Sequence, residues 1–143
     1  MLKKTIKYTD YDGNEREEDY YFNLNEAELT EMEFSTTGGM HGLVRKITTE
    51  QDNKRLFKLF KEIIYRSVGE KDLDGKHFRK SEKISDDFLA TEAYNNLFLE
   101  LMDAEKAAEF IEGILPKNVD TTAARAEAAK VMNLPDRGPK SAS

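Results

Sequence analysis

The sequence predicts an α+β fold, mainly α, in which an N-terminal β-hairpin packs on a compact bundle of about five to six short helices. Residues 2–24 alternate apolar and polar side chains around an Asp-Gly turn signal. Residues 48–116 instead repeat apolar side chains at helical spacing. With 143 residues, of which 38% are hydrophobic, the chain can bury one core.

The hairpin is predicted from alternation on both sides of Asp12-Gly13, with a wider loop through Asn14 and Glu15 as the alternative. Since an isolated hairpin is only marginally stable, we expect its apolar face to pack on the helices. The alternating apolar residues are Ile6, Tyr8, Tyr20, Phe22 and Leu24.

Two short helices are predicted next. Asn25 and Glu28 have the spacing of a capping box, which predicts the start of the first helix. The segment 36–39 contains two threonines and two glycines and ends it. Apolar residues between Met40 and Ile47 then favour a second helix.

The long helix is predicted from Thr48, which forms a capping-box pattern with Gln51, to Gly69, a residue typical of a left-handed C-cap. Its spacing predicts one buried face, with lysine and arginine side chains on the rest. The predicted buried residues are Leu56, Phe57, Phe60, Ile63, Ile64 and Val68.

A charged connector follows, in which Asp74-Gly75 predicts a tight turn and a small hairpin that returns Phe78 to the core. Three further helices are expected, with Ser85, Thr91 and Asp103 as their N-caps and Pro116 at the end of the last.

The composition changes after Pro116, which predicts one compact domain over residues 1–116 and a partly helical or disordered tail over 117–143. The tail carries five basic and three acidic residues, so its net charge is +2 and that of residues 1–116 is −8. An acidic body argues against binding of a phosphate backbone as the main activity.

The composition also limits compartment and membrane association. The chain has no cysteine, which excludes disulfides and thiolate metal sites and suits a reducing cytoplasm. No apolar run approaches the roughly 18 residues that a membrane span needs. The N-terminal residues lack the apolar segment of a secretory signal.

No catalytic or metal-binding site is predicted. His41 and His77 lie in no HExxH motif and have no spacing that builds a catalytic triad. Aligned on Gly75, the connector gives three carboxylates at positions 1, 3 and 5 of an EF-hand loop, but Ser81 stands where a bidentate glutamate is needed. We therefore expect no enzyme activity, no metal and no cofactor.

Two patterns leave alternatives open. Tyr94, Phe98 and Met102 recur at every fourth position, which indicates either core packing or a groove for a partner helix. The basic residues on both sides of Phe78 could bind RNA, although the acidic body disfavours this interpretation.

The segment Leu56–Lys117 resembles a family of small tailed-phage proteins that are similar to tail assembly chaperones of long-tailed phages. The N-terminal residues fit as well, so the resemblance covers most of residues 1–117. The matching motifs are Phe22-Asn23-Leu24, Ala27-Glu28-Leu29, Phe60-Lys61-Glu62-Ile63-Ile64, Gly69-Glu70-Lys71, Asp74-Gly75-Lys76, Phe78, Lys80-Ser81, Phe88, Thr91-Glu92-Ala93-Tyr94, Leu97-Phe98, Glu100-Leu101, Ala107-Ala108, Phe110-Ile111, Gly113-Ile114 and Pro116.

The resemblance implies a chaperone of the host cytoplasm that binds the phage tape measure protein and keeps it soluble during tail tube assembly. Further expected partners are the tail tube protein and other copies of this chain. A longer form made by ribosomal frameshifting would fit a variable C-terminal tail. We expect the partner-binding residues among Tyr65, Tyr94, Phe98 and Met102.

Two rival hypotheses come from other functional classes. One is a structural component of the virion, such as a tail completion or head-tail connector protein. The other, which the charge distribution disfavours, is a phage regulator that binds nucleic acid through Lys76–Lys80.

Overall fold

The computed structural model describes residues 1–31 and 52–116. Within these residues it has four strands and five helices, which confirms the predicted α+β, mainly α fold. The elements are β1 (Leu2–Thr9), β2 (Glu15–Phe22), α1 (Glu26–Glu31), α2 (Asn53–Ser67), β3 (Val68–Lys71), β4 (Phe78–Arg79), α3 (Glu82–Leu89), α4 (Glu92–Glu100) and α5 (Ala104–Ile114).

Several predictions lie outside the described residues. They are the end of the first short helix at residues 36–39, the predicted helix between Met40 and Ile47, the capping pair Thr48 and Gln51, His41, and the tail over residues 117–143.

The four strands form one antiparallel sheet in the order β1-β2-β3-β4. The hairpin of β1 and β2 is paired from Leu2↔Phe22 to Thr9↔Glu15. Its loop runs from Asp10 to Asn14, so it is wider than the Asp-Gly turn, as the second alternative predicted, but Glu15 already belongs to β2. Gly13 takes a φ of +86°, a conformation that glycine adopts without steric cost.

The core joins the inner face of this sheet to the helices. The Phe22 ring is fully buried and makes edge contacts with Phe88 of α3 and Phe110 of α5, at centroid distances of 5.7 and 5.3 Å. Leu97 and Ile114 are also fully buried. These contacts confirm that the apolar face of the hairpin packs on the helices.

Three of the predicted helix caps are confirmed. Asn25 Oδ1 accepts from the Glu28 amide at 2.9 Å, and the Glu28 carboxylate accepts from the Asn25 amide at 3.0 Å, which completes a capping box. Thr91 caps α4 and Asp103 caps α5 through hydrogen bonds from the third residue of each helix.

The ends of the long helix differ from the prediction. Helix α2 begins at Asn53 with Asp52 as its N-cap, later than the predicted Thr48. It ends at Ser67 and continues directly into β3, so Gly69 is a strand residue and not a C-cap. The reason is tertiary, because Gly69 pairs with Tyr21 of β2 and lies against the Phe78 ring.

The predicted cap of α3 is also wrong. Ser81 caps this helix by accepting from the Ile84 amide, whereas Ser85 lies inside it. Ser85 is buried, and its hydroxyl donates to the Tyr65 carbonyl of α2 at 2.7 Å. This hydrogen bond satisfies the buried hydroxyl and ties α3 to α2.

The connector forms the predicted small hairpin, β3 and β4, with Gly75 at a φ of +75°. Phe78 is half-buried against Gly69. Strands flank the connector on both sides, so it lacks the two helices of an EF-hand.

No helix among the described residues combines the length and apolar character needed to cross a membrane.

Candidate partner-binding surface

Lys80 holds together three segments of the fold, among them helix α2, which carries part of the surface that could receive a partner. The Lys80 ammonium donates to the Asn23 carbonyl at 2.5 Å, the Glu28 carboxylate at 2.7 Å and the Arg66 carbonyl at 2.7 Å. One side chain therefore joins the end of β2, helix α1 and the end of α2. Burial lowers the pKa of Lys80, and the Glu28 carboxylate partly opposes that shift.

Two backbone hydrogen bonds converge on the same place. The Asn23 amide donates to the Ser67 carbonyl at 2.8 Å, and the Leu24 amide donates to the Ile114 carbonyl at 2.7 Å. The segment after β2 thus fixes the C-terminal ends of α2 and α5.

Helix α4 is attached to the hairpin by polar contacts along its length. The Lys4 ammonium contacts the Glu100 carboxylate at 2.5 Å, and the Asn96 amide donates to the Lys7 carbonyl at 2.9 Å. Tyr11 of the hairpin loop donates to Glu92 at 3.1 Å. These contacts fix α4 across β1, with Ala93 and Leu97 in the core.

A row of aromatic rings runs from the core to the surface. Phe88 contacts Tyr20 at 4.8 Å and Tyr94 at 6.1 Å between ring centroids. Tyr94 contacts Phe98 at 6.0 Å, and Phe98 contacts Phe57 of α2 at 5.9 Å. Phe57 at the end of the row is 39% exposed.

Two further apolar side chains extend this end of the row. Leu99 is 59% exposed and Met102 is 39% exposed. Leu99 is in the last turn of α4, and Met102 follows the C-cap Leu101, so both exposed side chains lie at the end of the helix that carries Phe98. We call Phe57, Phe98, Leu99 and Met102 the apolar patch.

The structure separates the four predicted partner-binding residues. Phe98 and Met102 belong to the apolar patch, and the half-buried Tyr94 packs against Phe98. Tyr65 lies elsewhere on α2, where it lines a cavity. Binding through these four residues stays a prediction.

That cavity has a volume of about 690 Å³ and lies between α1, α2 and α3. Burial and a hydrogen bond to Asp86 raise the pKa of Tyr65. The walls carry four basic and four acidic side chains, so the cavity favours neither sign of charge. The lining residues are Glu28, Glu31, Lys58, Lys61, Glu62, Tyr65, Arg66, Lys80, Ser81, Glu82 and Ser85.

Sequence reasoning misses Phe57 and Leu99 as surface residues that could bind a partner. It assigns Phe57 to the buried face of the long helix, but that face centres on Phe60 and Ile63 and includes Leu59. With Leu59 counted, the helical wheel places Phe57 at the edge of the apolar arc. The position of Phe57 at the edge of the apolar arc is the feature of the sequence that could have indicated its exposure.

The basic residues around Phe78 are partly neutralised. Arg79 binds the Asp72 carboxylate through two nitrogens at 2.9 and 2.8 Å, and Lys80 is paired with Glu28. His77 Nδ1 lies 3.3 Å from the same Asp72 carboxylate. These ion pairs weaken the alternative of RNA binding at this site.

Asp72, Asp74 and His77 form the one cluster of potential metal ligands in the described part of the chain. Asp74 and His77 are exposed, and the Arg79 guanidinium lowers the pKa of Asp72. The guanidinium already neutralises the best-placed carboxylate, so the cluster fits an ion-paired turn.

The hairpin carries a second titratable cluster. Tyr8 and Tyr20 both donate to one Glu18 oxygen, at 2.5 and 3.0 Å. Hydrogen bonds from the two tyrosines lower the pKa of Glu18, and burial raises that of Tyr20. The Glu18 carboxylate therefore accepts both hydrogen bonds in its ionised form. These bonds stiffen the face of the hairpin that contacts Phe88.

Comparison with known proteins gives one result. A family model described as phage tail assembly chaperone matches residues 1–142. No curated protein and no solved structure matches the chain.

Proposed function

The chain belongs to the family of phage tail assembly chaperones, and from this premise we propose that it binds the tape measure protein and keeps it soluble during tail tube assembly. The proposal places the protein in the host cytoplasm, with the tail tube protein as a competing partner. It assigns the chain a binding role and no catalytic step.

The observation that carries the proposal is the apolar patch. Its four side chains are large and stand partly in water, although the chain as a whole is 35% charged. A chaperone for a helical polypeptide needs an apolar surface on which the apolar face of a helix can lie. Methionine and phenylalanine suit this task because they adapt to varied side chains.

The size of the patch fits reversible binding. Four side chains bury far less surface than a stable interface between two proteins, which removes about 1,600 Å² from water. One patch therefore holds a helix weakly, and several copies along one polypeptide would hold it by avidity. Such contacts can be displaced when tube protein polymerises around the tape measure protein.

Co-expression tests the proposal. The tape measure protein of the same phage is expressed alone and together with this chain, and its soluble fraction is measured after centrifugation. We expect it to sediment when expressed alone and to remain in the supernatant, bound to this chain, when the two are co-expressed. A tape measure protein that sediments equally in both cases would contradict the proposal.

The structural-component hypothesis makes a different prediction. A tail completion or connector protein stays in the finished particle, whereas a chaperone leaves it. Mass spectrometry of purified virions separates the two, and we expect this chain to be missing or far below one copy per particle.

A further inference from the structure

Phe57 of the apolar patch lies on α2, the described element with the highest net positive charge. Helix α2 carries five basic residues and one acidic residue, a net charge of +4 in a chain whose net charge is −6. Lys54 and Lys61 lie three positions before and four positions after Phe57, so both are its neighbours on the helix surface. Lys58 is adjacent to Phe57 in sequence and is also exposed.

These three lysines have no carboxylate partner at salt-bridge distance among residues 1–31 and 52–116. The other two cations of α2 do, because Arg55 pairs with Asp52 at 3.9 Å and Arg66 pairs with Glu62 at 3.1 Å. Lys58 and Lys61 also border the cavity, which Glu28 and Glu31 help to line. Helix α2 thus carries three lysines without an ion-pair partner in the described part of the chain, and two of them, Lys54 and Lys61, are neighbours of Phe57 on the helix surface.

We propose that the apolar patch binds an amphipathic helix of the partner whose apolar stripe is bordered by aspartate or glutamate, with those carboxylates facing Lys54, Lys58 and Lys61. The inference rests on the proposed function and adds the chemistry of the bound segment. Phe57 and Phe98 receive the apolar stripe, and the lysines fix which edge of the helix lies against α2.

The positive charge of α2 argues against two other occupants of the apolar patch. A second copy docked patch to patch would bring two sets of these lysines together, which is unfavourable because like charges repel. Residues 117–143 of the same chain carry a net charge of +2, so they are not complementary to this surface.

Nucleic acid is disfavoured for a different reason. Leu99 and Met102 have no π-face on which a base could stack, and the chain as a whole repels phosphate. A protein helix with an apolar stripe bordered by carboxylates can contact both the apolar patch and the lysines beside it.

Two synthetic peptides test the inference with the full-length protein. Both are helical and share a leucine and phenylalanine stripe at positions i, i+3, i+4 and i+7. One carries glutamate along the edge of the stripe, and the other carries lysine at the same positions. Binding is measured by fluorescence anisotropy at low and at high salt.

We expect the glutamate peptide to bind at least about tenfold more tightly at low salt, with the preference reduced at high salt because exposed charges are screened. The variant K54E/K58E/K61E should reverse the preference. The control Lys106→Glu makes one such charge reversal at an exposed position of α5, away from the apolar patch, and should leave the preference intact. Phe57→Gln should weaken both peptides.

Several outcomes would overturn the inference. Two concern the peptides: equal binding of both, or a preference that K54E/K58E/K61E does not reverse. Two concern other occupants: self-association through the patch that excludes both peptides, or a single-stranded RNA oligonucleotide that displaces the glutamate peptide. All three substituted lysines are exposed, so the variant should fold, which circular dichroism checks. If it does not fold, the neutral variant K58Q/K61Q replaces it and should abolish most of the preference.

Co-expression separates this inference from the proposed function. If wild-type chain solubilises the tape measure protein and K54E/K58E/K61E does so equally well, the inference fails and the proposed function stands. If the wild-type chain does not solubilise it, the proposed function fails whatever the peptides do.

Discussion

At the residue scale, the structure shows which side chains act beyond their immediate sequence neighbours. The caps at Asn25, Thr91 and Asp103 could be predicted because each depends on a residue three positions away. Lys80 could not, because its partners lie 14, 52 and 57 positions away. Only the folded chain brings them to one ammonium group.

Lys80→Ala should lower the free energy of unfolding by about 2–3 kcal/mol, since it removes three hydrogen bonds and leaves the Asn23 and Arg66 carbonyls without a donor. Urea denaturation measures the change. The control Lys83→Ala removes a lysine that pairs with Asp87 and is largely exposed, and it should change stability by less than about 0.5 kcal/mol. Equal effects of the two substitutions would show that Lys80 has no special structural role.

Asp10 should make the hairpin sensitive to acid. Its carboxylate accepts from Arg16 at 2.6 Å and from the amides of Asp12 and Asn14 at 2.9 Å. The Arg16 hydrogen bond, and then that of the Asn14 amide, hold the pKa of Asp10 below its ordinary value of 3.8.

The sign of the effect follows from this shift. A lowered pKa means that the unfolded chain binds the proton more readily, so Asp10 stabilises the fold above pH 3.8 and loses that effect as the pH falls through the folded-state pKa. Asp10→Asn should therefore be less stable than wild type at neutral pH, and the difference should shrink in acid. Denaturation midpoints across this range check it, and parallel curves would contradict it.

At the scale of secondary structure elements, the sequence predicts which segments are helical or extended more reliably than where they end. The prediction for Gly69 is wrong because the same residue suits a C-cap and a tightly packed strand. Gly69 is a strand residue because it pairs with Tyr21, which lies 48 positions earlier in the chain. Likewise Ser81 and Ser85 both precede apolar residues, so either could be predicted as the N-cap. Ser85 is the buried one, and its hydroxyl donates to the Tyr65 carbonyl.

Gly69→Ala tests the packing of β3 on β4. A Cβ atom at Gly69 would lie 2.7 Å from the Arg79 carbonyl and 2.8 Å from the Phe78 ring, so the connector hairpin must shift. We expect a loss of about 1–3 kcal/mol in the free energy of unfolding.

The control for this substitution is Gly75→Asn. A Cβ atom at Gly75 would meet no other atom within 4 Å, and asparagine tolerates the positive φ of this residue better than other side chains do. It should cost clearly less than Gly69→Ala in the same thermal or urea denaturation. The reverse order would mean that the turn, and not the close contact, limits the stability of the connector.

At the scale of the whole molecule, the candidate surface results from an arrangement that sequence periodicity cannot give. Phe57 and Phe98 are 41 positions apart, and only the fold brings the two rings, one on α2 and one on α4, into contact. The stripe of Tyr94, Phe98 and Met102 is visible in the sequence, but its exposure is not. The helical wheel alone cannot decide between core and groove, and the structure shows that Tyr94 and Phe98 partly serve the core while Met102 stands at the surface.

The charge distribution at the surface also depends on folding. The sequence shows an acidic body, yet folding places lysines of α2 that have no ion-pair partner within residues 1–31 and 52–116 beside the apolar patch. The proposed binding surface for an acidic amphipathic helix therefore depends on the folded arrangement of the helices.

The most direct test of the account measures the aggregation of the tape measure protein itself. The purified protein is diluted out of denaturant, and light scattering is followed with and without an equimolar amount of this chain. The account predicts rapid scattering without the chain, strong suppression with it, and weaker suppression by Phe57→Gln. Scattering that is unchanged even at an excess of the wild-type chain would contradict it.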